Sequence, residues 1–148
     1  MIKMLILSFV FSTSISFAQS VPGQVLSNFK KQYPGTEVLE WEAINQKYKA
    51  AFFTQDNFYA EAVYSADGQW ITTSRQIGEN ELPQKVLMRW KKTYPQVRSV
   101  SAIMLVQKPK KKETYHLSFE THESLVNLVF KKSGRLKEKI EEPISIDD

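Results

Sequence analysis

The sequence predicts an α+β protein of two tandem repeats, each a helix followed by a four-stranded antiparallel sheet, with the helices packed on one sheet face. Two observations lead to this fold class. A segment near the start of the chain recurs after about 60 residues, and such self-similarity is typical of repeated structural units. Within each copy, the spacing of the apolar residues changes from the helical period to the strand period of two.

The repeat is clearest in its opening segment. VPGQVLSNFKKQYP, residues 21–34, matches LPQKVLMRWKKTYP, residues 82–95, with seven identical positions and Phe29 replaced by Trp90. The later segments 48–52 and 115–119 also match, but they lie further apart along the chain. The second copy therefore carries an insertion, which we place at the lysine-rich loop 108–112.

Each copy is predicted to open with a helix. Pro22 and Pro83 are expected in the first helical turn, where a missing backbone N–H leaves no hydrogen bond unmade. In both copies a Val is followed four residues later by a large aromatic residue, Phe29 or Trp90, which gives the helix one apolar stripe. A Tyr-Pro pair ends each helix, because Pro disfavours helical backbone in the residue before it.

Four strands are predicted after each helix. Tyr115, Leu117 and Phe119 alternate with polar residues, which is the pattern of a half-buried antiparallel strand. The pairs Asp67-Gly68 and Ser133-Gly134 predict hairpin turns, since such turns need a positive φ and Gly tolerates it. In the first copy, the first strand is expected at 37–44 and the last at 70–76. In the second copy, they are expected at 99–106 and 136–141. The last strand of each copy has the least regular alternation.

The two ends of the chain are expected to lie outside the repeats. Residues 1–18 carry a single cation, Lys3, then an apolar run, and they end in Ser16-Phe17-Ala18, which has small residues at the two positions that a signal peptidase needs. This is the layout of a cleaved secretory signal. A membrane anchor is the alternative, but the apolar run is short for a span. We assign residues 19–80 and 81–142 to the two repeats and 143–148 to an acidic tail. The protein is then exported, periplasmic or extracellular, and soluble after cleavage, with no stable membrane insertion.

Composition excludes several classes of site. The chain has no cysteine, so it has no disulfide, no Cys nucleophile, no thiolate metal site and no lipid-modified Cys. Its net charge of +4 is low for a nucleic-acid-binding protein, which usually has a denser basic face. We therefore expect no nucleic-acid partner.

The order of these features resembles the PepSY-like proteins that are described as β-lactamase-inhibitor-like. The likeness lies in the helix motif that ends in KK-x-YP, the strand that bears Trp41, the strand led by a Tyr, and the hairpin from Tyr64 to Gly68. The resemblance implies an exported envelope protein with tandem helix-and-sheet units and a continuous sheet whose open face binds another protein. It does not extend to β-lactamase inhibition, because the inhibitor's binding loops cannot be placed by motif and its disulfides have no counterpart.

Catalysis is not expected. His116, Ser118 and Glu120 share one strand face, but alternate residues of a strand are roughly 7 Å apart, which is too far for the direct hydrogen bonds of a triad. No Gly-flanked Ser indicates a strained nucleophile turn. Glu40 and Glu42 flank Trp41, and we interpret them as an exposed strand face and not as a glycosidase pair.

We also expect no metal and no cofactor. His116 and His122 have Glu120 and Glu123 near them, but no second group of ligands accompanies them. Asp67 precedes a Gly in an ordinary hairpin turn and is not followed by the ligand spacing of a calcium loop.

Two surfaces remain as candidates for binding. The first is the sheet face opposite the helices, for which alternation predicts Lys49, Phe53, Tyr59, Glu61, His116, Ser118 and Glu120. Mixed aromatic and charged residues suit a protein interface, although Phe53 and Tyr59 could simply pair across strands. The second is an anion-contact loop formed by Lys108, Lys110, Lys111 and Lys112, whose alternative is a solvated hairpin tip.

These observations favour an exported non-catalytic binding module that binds an envelope or secreted protein, or a peptide, through the open sheet face. The alternative is a structural envelope protein, or one that binds a small ligand or a polyanion. An enzyme is the third and weakest hypothesis.

Overall fold

The computed structural model describes residues 20–98 and 100–144. The predicted signal peptide, its cleavage site at Ala18 and the last four residues of the acidic tail lie outside these residues. The described chain forms two helices and one antiparallel sheet in the order β1 to β8. The elements are α1 (Gly23–Gln32), β1 (Val38–Ile44), β2 (Lys47–Phe53), β3 (Tyr59–Ser65), β4 (Trp70–Gln76), a 3-10 helix (Glu79–Glu81), α2 (Gln84–Thr93), β5 (Ala102–Lys108), β6 (Lys112–Glu120), β7 (Ser124–Lys131) and β8 (Leu136–Pro143).

The α+β class and the order of one helix followed by four strands are confirmed for both copies. The two four-stranded sets do not form separate sheets, because they join into a single sheet of eight, which is the continuous sheet that the family resemblance implies. The join is made by β4 and β5, in which Thr73 lies opposite Gln107 and Arg75 opposite Leu105. The last strand of the first copy is therefore an inner strand, whereas β8 is an edge.

Both helices begin one residue later than the sequence predicted. Pro22 and Pro83 are the residues immediately before the helices, and their carbonyl oxygens accept hydrogen bonds from Leu26 N and Leu87 N at 3.1 Å. Both prolines have the extended backbone of a helix-capping residue, with ψ of 141° and 136°. A missing N–H is harmless at this position as well, because a capping residue makes no intrahelical bond through its N–H.

The two helices cover the same face of the sheet. Residues directly opposite each other on neighbouring strands share a face, and such pairs run from Ala60 to Arg75, Leu105 and Tyr115. This continuous row joins the core under α1 to the core under α2. The first core comprises Val25, Phe29, Tyr48, Ala50, Phe52, Ala60, Ala62 and Tyr64. The second comprises Ile77, Leu82, Val86, Trp90, Ile103, Leu105, Tyr115, Leu117, Phe119, Val126, Leu128 and Phe130.

The two cores are filled differently. The first combines small alanines with aromatic rings packed edge-on, such as Phe29 and Phe52, whose ring centroids are 5.1 Å apart. The second is mainly aliphatic. Ile77, which follows β4, packs in the second core, and its backbone N–H donates to Ile103 O at 3.0 Å. The end of the first copy is thus part of the hydrophobic core of the second.

The insertion in the second copy lengthens one hairpin. Ala43 lies opposite Tyr48 in the β1–β2 hairpin, whereas Leu105 lies opposite Tyr115 in the β5–β6 hairpin, which is the matching pair of core-facing positions. The predicted location of the insertion is therefore confirmed. Lys108 and Lys112 are paired strand residues and not loop residues, so the turn itself contains Pro109, Lys110 and Lys111.

Strand pairing also continues past the predicted end of the second repeat. Pro143 lies in β8 opposite Ser124, and Ile144 N donates to Glu123 O at 2.9 Å. These two residues are held by the β6–β7 hairpin, although the sequence assigned them to the tail.

Candidate functional site

We call the sheet face opposite the helices the open face. All seven residues predicted for it lie there, because the face can be followed strand by strand through the pairs Ala51–Glu61, Glu61–Ser74, Ser74–Val106 and Val106–Thr114. On β2 and β3 the open face carries Lys49, Phe53, Tyr59 and Glu61. On β6 it carries His116, Ser118 and Glu120.

The residues on β1 to β3 form one connected group. Lys49 Nζ lies 2.8 Å from Glu42 Oε2 and 3.5 Å from Glu61 Oε1. Tyr59 donates its hydroxyl to Glu61 Oε1 at 2.8 Å, and its ring lies edge-on to Phe53 with centroids 6.1 Å apart. The aromatic pair and the ion pairs thus fix one another's positions.

The electrostatics of this group keep Tyr59 a hydrogen-bond donor. The hydrogen bond to Glu61 raises the pKa of Tyr59, because it stabilises the protonated phenol. The hydrogen bond from Lys49 to Glu42 raises the pKa of Lys49, so the amine stays charged. Two carboxylates face one ammonium here, and the group carries a net negative charge. Ion pairs this exposed contribute little stability, which leaves their charges available to a partner.

The residues on β6 form a second group with different chemistry. His116 Nε2 is 2.9 Å from Thr114 Oγ1, and Ser118 donates its hydroxyl to Asn127 Oδ1 at 2.6 Å. Burial lowers the pKa of His116, an effect that Lys108 and Lys137 reinforce and Glu138 opposes. This shift favours the neutral imidazole over the charged form. Among the hydrogen bonds of the described residues, none joins Ser118 to His116.

The structure does not bring the two groups together. Glu61 and Thr114 lie in the same row but three strand spacings apart, which is about 14 Å. Between them lies a neutral strip of partly buried side chains that the sequence analysis did not single out. The neutral strip consists of Val63, Thr72, Ser74, Met104 and Val106. Its two β5 residues lie in the run AIMLV, residues 102–106. This run contains no polar residue, so alternation could not indicate which side chains face the helices.

The open face is broad and shallow. A hollow on it has a volume of about 150 Å³ and is lined by Ile44, Asn45, Lys47, Lys49 and Val63. Pockets that enclose a drug-sized ligand have volumes of roughly 300–1,000 Å³. The shape therefore suits contact with another surface better than enclosure of a small molecule.

The other candidate residues have structural partners. Glu42 is bound by Lys49, and the partly buried Trp41 packs on Phe29 with centroids 5.6 Å apart. Asp67 accepts a hydrogen bond from Gln69 Nε2 at 3.0 Å within its turn. Over residues 20–98 and 100–144, no three His, Asp or Glu side chains come together in a way that could hold a metal ion.

No helix in the described part of the chain is long and apolar enough to cross a membrane.

Comparison with known families gives one match over most of the chain. The sequence profile of the family described as "Putative beta-lactamase-inhibitor-like, PepSY-like" matches residues 12–52 and 46–138. The two matched segments suggest a repeat, in agreement with the internal similarity. Among curated proteins, none matches the sequence significantly.

Solved structures with the same fold come from Bacteroides. One is described as a putative periplasmic protein from Bacteroides eggerthii, with a TM-score of 0.77, 17% identity, and coverage of 86% of this chain and 94% of that chain. Another, a BLIP-like protein from Bacteroides fragilis, has a TM-score of 0.73, 21% identity, and coverage of 88% and 94%. A DUF2874 family protein from Bacteroides uniformis has a TM-score of 0.74, 18% identity, and coverage of 82% and 90%. At these identities the similarity shows the fold alone.

Proposed function

Because the chain belongs to the beta-lactamase-inhibitor-like, PepSY-like family, we propose that it is an exported, non-catalytic module that binds another protein or a peptide through its open face. One observation carries this proposal. Both helices lie on the same side of the continuous sheet, and no described element covers the opposite side. That side has a neutral strip bordered by aromatic and charged side chains.

This arrangement has the anatomy of a protein interface. Stable interfaces have a core depleted of charge, large aromatic residues and a polar rim. The neutral strip and the Phe53–Tyr59 pair fit such a core, and the charged side chains of the two groups fit the rim. Phe53 is 48% exposed, although it lies on a paired strand. A large exposed aromatic that is already held in place loses little side-chain entropy when it is buried by a partner.

The alternative account is that Phe53 and Tyr59 pair across strands only to stabilise the sheet. The two accounts predict different effects on stability and on binding when the rings of Phe53 and Tyr59 are removed. Cross-strand pairing predicts that loss of the two rings lowers stability and leaves binding unchanged. A binding role predicts that affinity falls more than the stability change can explain.

Export is the second part of the proposal. It is supported by the signal-like pattern of residues 1–18 and by the description of the Bacteroides eggerthii relative as periplasmic. A protein in that compartment that binds a partner through a broad face acts by steric blocking and charge complementarity, without making or breaking bonds.

The test is an affinity capture from envelope extract with residues 19–148 as bait. The variant Phe53→Ala/Tyr59→Ala removes both rings from the open face. The matched control, Leu26→Ala/Met88→Ala, removes exposed apolar side chains from the helices on the other side, where they are 37% and 63% exposed. A partner recovered by the wild type is then purified and titrated against all three proteins.

We expect affinity to fall at least about tenfold for the open-face variant, since buried aromatic anchors dominate interface energies. The helix-face variant should bind as the wild type does. Thermal unfolding of each variant checks that the fold is intact. Equal binding by the open-face variant, or greater loss with the helix-face variant, would place the interface elsewhere.

A further inference from the structure

The β5–β6 hairpin extends beyond the matching hairpin of the first copy. The last pair before the β1–β2 turn is Ile44–Lys47, whose counterpart in the second copy is Val106–Thr114. Two further pairs, Gln107–Glu113 and Lys108–Lys112, then follow before the turn. At about 3.4 Å per strand residue, this extension is about 7 Å long before the turn begins. The fold does not need it, since the first copy closes the same hairpin without it.

The extension concentrates positive charge. Lys108 and Lys112 are directly opposite each other on the open face, and Lys110 and Lys111 form the tip. Lys131 lies opposite Thr114 and therefore diagonal to Lys112 on the same face. All five lysines are exposed, and the ion pairs found within residues 20–98 and 100–144 involve none of them.

Nearby acidic groups do not neutralise this cluster. Glu113 points to the helix face, where its carboxylate lies 3.2 Å from Lys132 Nζ and accepts from the Tyr115 hydroxyl at 3.2 Å. Glu138 is on the open face but lies opposite Val129, towards His116 and away from the tip. The tip therefore keeps its full positive charge.

The arrangement is unfavourable in the free protein. Like charges directly opposite on two strands repel each other. Lys110 and Lys111 also have φ of 62° and 54°, a left-handed conformation that L residues with a Cβ adopt reluctantly. The first copy has a left-handed turn too, but it begins with Asn45, a residue type that tolerates this region, and places one lysine beside it.

We propose that the basic tip, formed by Lys108, Lys110, Lys111, Lys112 and Lys131, binds an anionic polysaccharide. A lysine ammonium group is a compact charge at the end of a flexible side chain. It can therefore bind sulfates and carboxylates that recur along a polymer in many orientations. Each anionic group relieves repulsion between neighbouring lysines, so binding removes a cost that the free hairpin carries. This inference does not depend on the proposed protein-binding role of the open face.

Two other polyanions fit the tip less well. Single-stranded nucleic acid is usually held by aromatic side chains that stack on its bases, and residues 106–114 contain no aromatic residue. A membrane surface is usually bound by basic residues together with apolar ones that enter the lipid, and the extension has no large apolar side chain between Val106 and Tyr115.

The test measures binding of heparin, a sulfated polysaccharide, to residues 19–148 at several salt concentrations. The tip variant is Lys108→Gln/Lys110→Gln/Lys111→Gln/Lys112→Gln. The control variant, Lys30→Gln/Lys31→Gln/Arg89→Gln/Lys92→Gln, removes the same charge from exposed positions on the two helices. Vesicles that contain phosphatidylglycerol and a duplex DNA fragment are the competing probes.

We expect the tip variant to bind heparin at least about tenfold more weakly and with a smaller dependence on salt, because fewer cations contact the polymer. The control variant should stay within about threefold of the wild type, as a change in net charge alone acts weakly at physiological salt. Equal losses in both variants, no heparin binding by the wild type, or tighter binding to vesicles or DNA would each overturn the proposal.

Discussion

Gly68 and Gly134 occupy equivalent turns, and each has two reasons to lack a side chain. Their φ values are 87° and 82°, in the left-handed region that favours glycine. Each turn also lies against the first turns of the helix of its own copy. A Cβ on Gly134 would be 2.8 Å from Lys85 O, and one on Gly68 would be 2.8 Å from Asn28 Nδ2.

We predict that Gly68→Ala and Gly134→Ala each lower the free energy of unfolding by about 1–3 kcal/mol. Gly134→Ala should cost more, because it meets helix backbone, whereas Gly68→Ala first meets the end of a side chain. The measurement is urea denaturation. Gly23→Ala is the control, since nothing lies within 4 Å of its Cβ position. A Gly134→Ala protein as stable as the Gly23→Ala protein would contradict the steric explanation.

The faces of individual residues could be read from the sequence wherever polar and apolar residues alternate. Alternation placed Lys49, Phe53, Tyr59 and His116 on the face where the structure has them. It could not do so in β5, where Ile103, Met104, Leu105 and Val106 are all apolar. The middle of the open face was therefore missed, because its side chains differ from core side chains only in position.

The last strands of the two copies show how the position of an element changes its chemistry. In β4, Thr73 is buried and shares hydrogen bonds with the Tyr33 hydroxyl at 2.5 Å and Trp70 Nε1 at 2.9 Å. In β8, the matching neighbour of Tyr94 is Lys139, whose Nζ lies 5.8 Å from the Tyr94 ring. The inner strand β4 contains one charged residue, Arg75, which forms an ion pair with Glu81, whereas β8 contains five charged residues. Charged side chains suit an edge strand, because they discourage that edge from pairing with another chain.

We predict that Lys137→Thr/Glu138→Thr/Lys139→Thr, which makes β8 resemble β4, causes the protein to self-associate. With three of its charges removed, the edge presents its free backbone donors and acceptors to another copy more readily. Light scattering after size exclusion should show dimers or larger species at concentrations where the wild type does not form them. The control replaces exposed Lys91 and Lys92 on α2 with Thr. Association of the control to the same extent would mean that loss of charge, and not the strand edge, is responsible.

Why the sheets join could not be predicted from local pattern. The helices, the strands and the turn glycines are set by residues near one another in sequence, and these predictions were confirmed. Pairing of β4 with β5 spans the connection that contains α2. It depends on which strand edges meet after both units fold, and the weak alternation of WITTSRQ gave no register. The shift of the helix starts by one residue is within the usual uncertainty of helix ends.

At the scale of the whole molecule, the two copies form one sheet, and the first contributes a residue to the core of the second. The backbone ladder between β4 and β5 and the insertion of Ile77 into the second core tie each copy to the other. Stability should therefore be a property of the full sheet, and neither core should unfold by itself.

We predict one cooperative unfolding transition for the wild type and for two variants, Phe52→Ala in the first core and Leu117→Ala in the second. Each substitution removes a fully buried side chain and should lower stability by about 2–5 kcal/mol. Circular dichroism and tryptophan fluorescence should give coincident denaturation curves in all three proteins. Two separated transitions in either variant would show that the copies fold independently.

The joined sheet also determines how many strand edges are open to further pairing. Two detached units would expose four strand edges, whereas the joined sheet of the described residues exposes two, β1 and β8. Joining the two units thus reduces the number of exposed strand edges per unit, and with it the aggregation hazard. A third unit that paired with β8 would have to approach the lysines and glutamates of that strand, which disfavour edge-to-edge pairing. The charges on β8 therefore oppose further extension of the joined sheet at that edge.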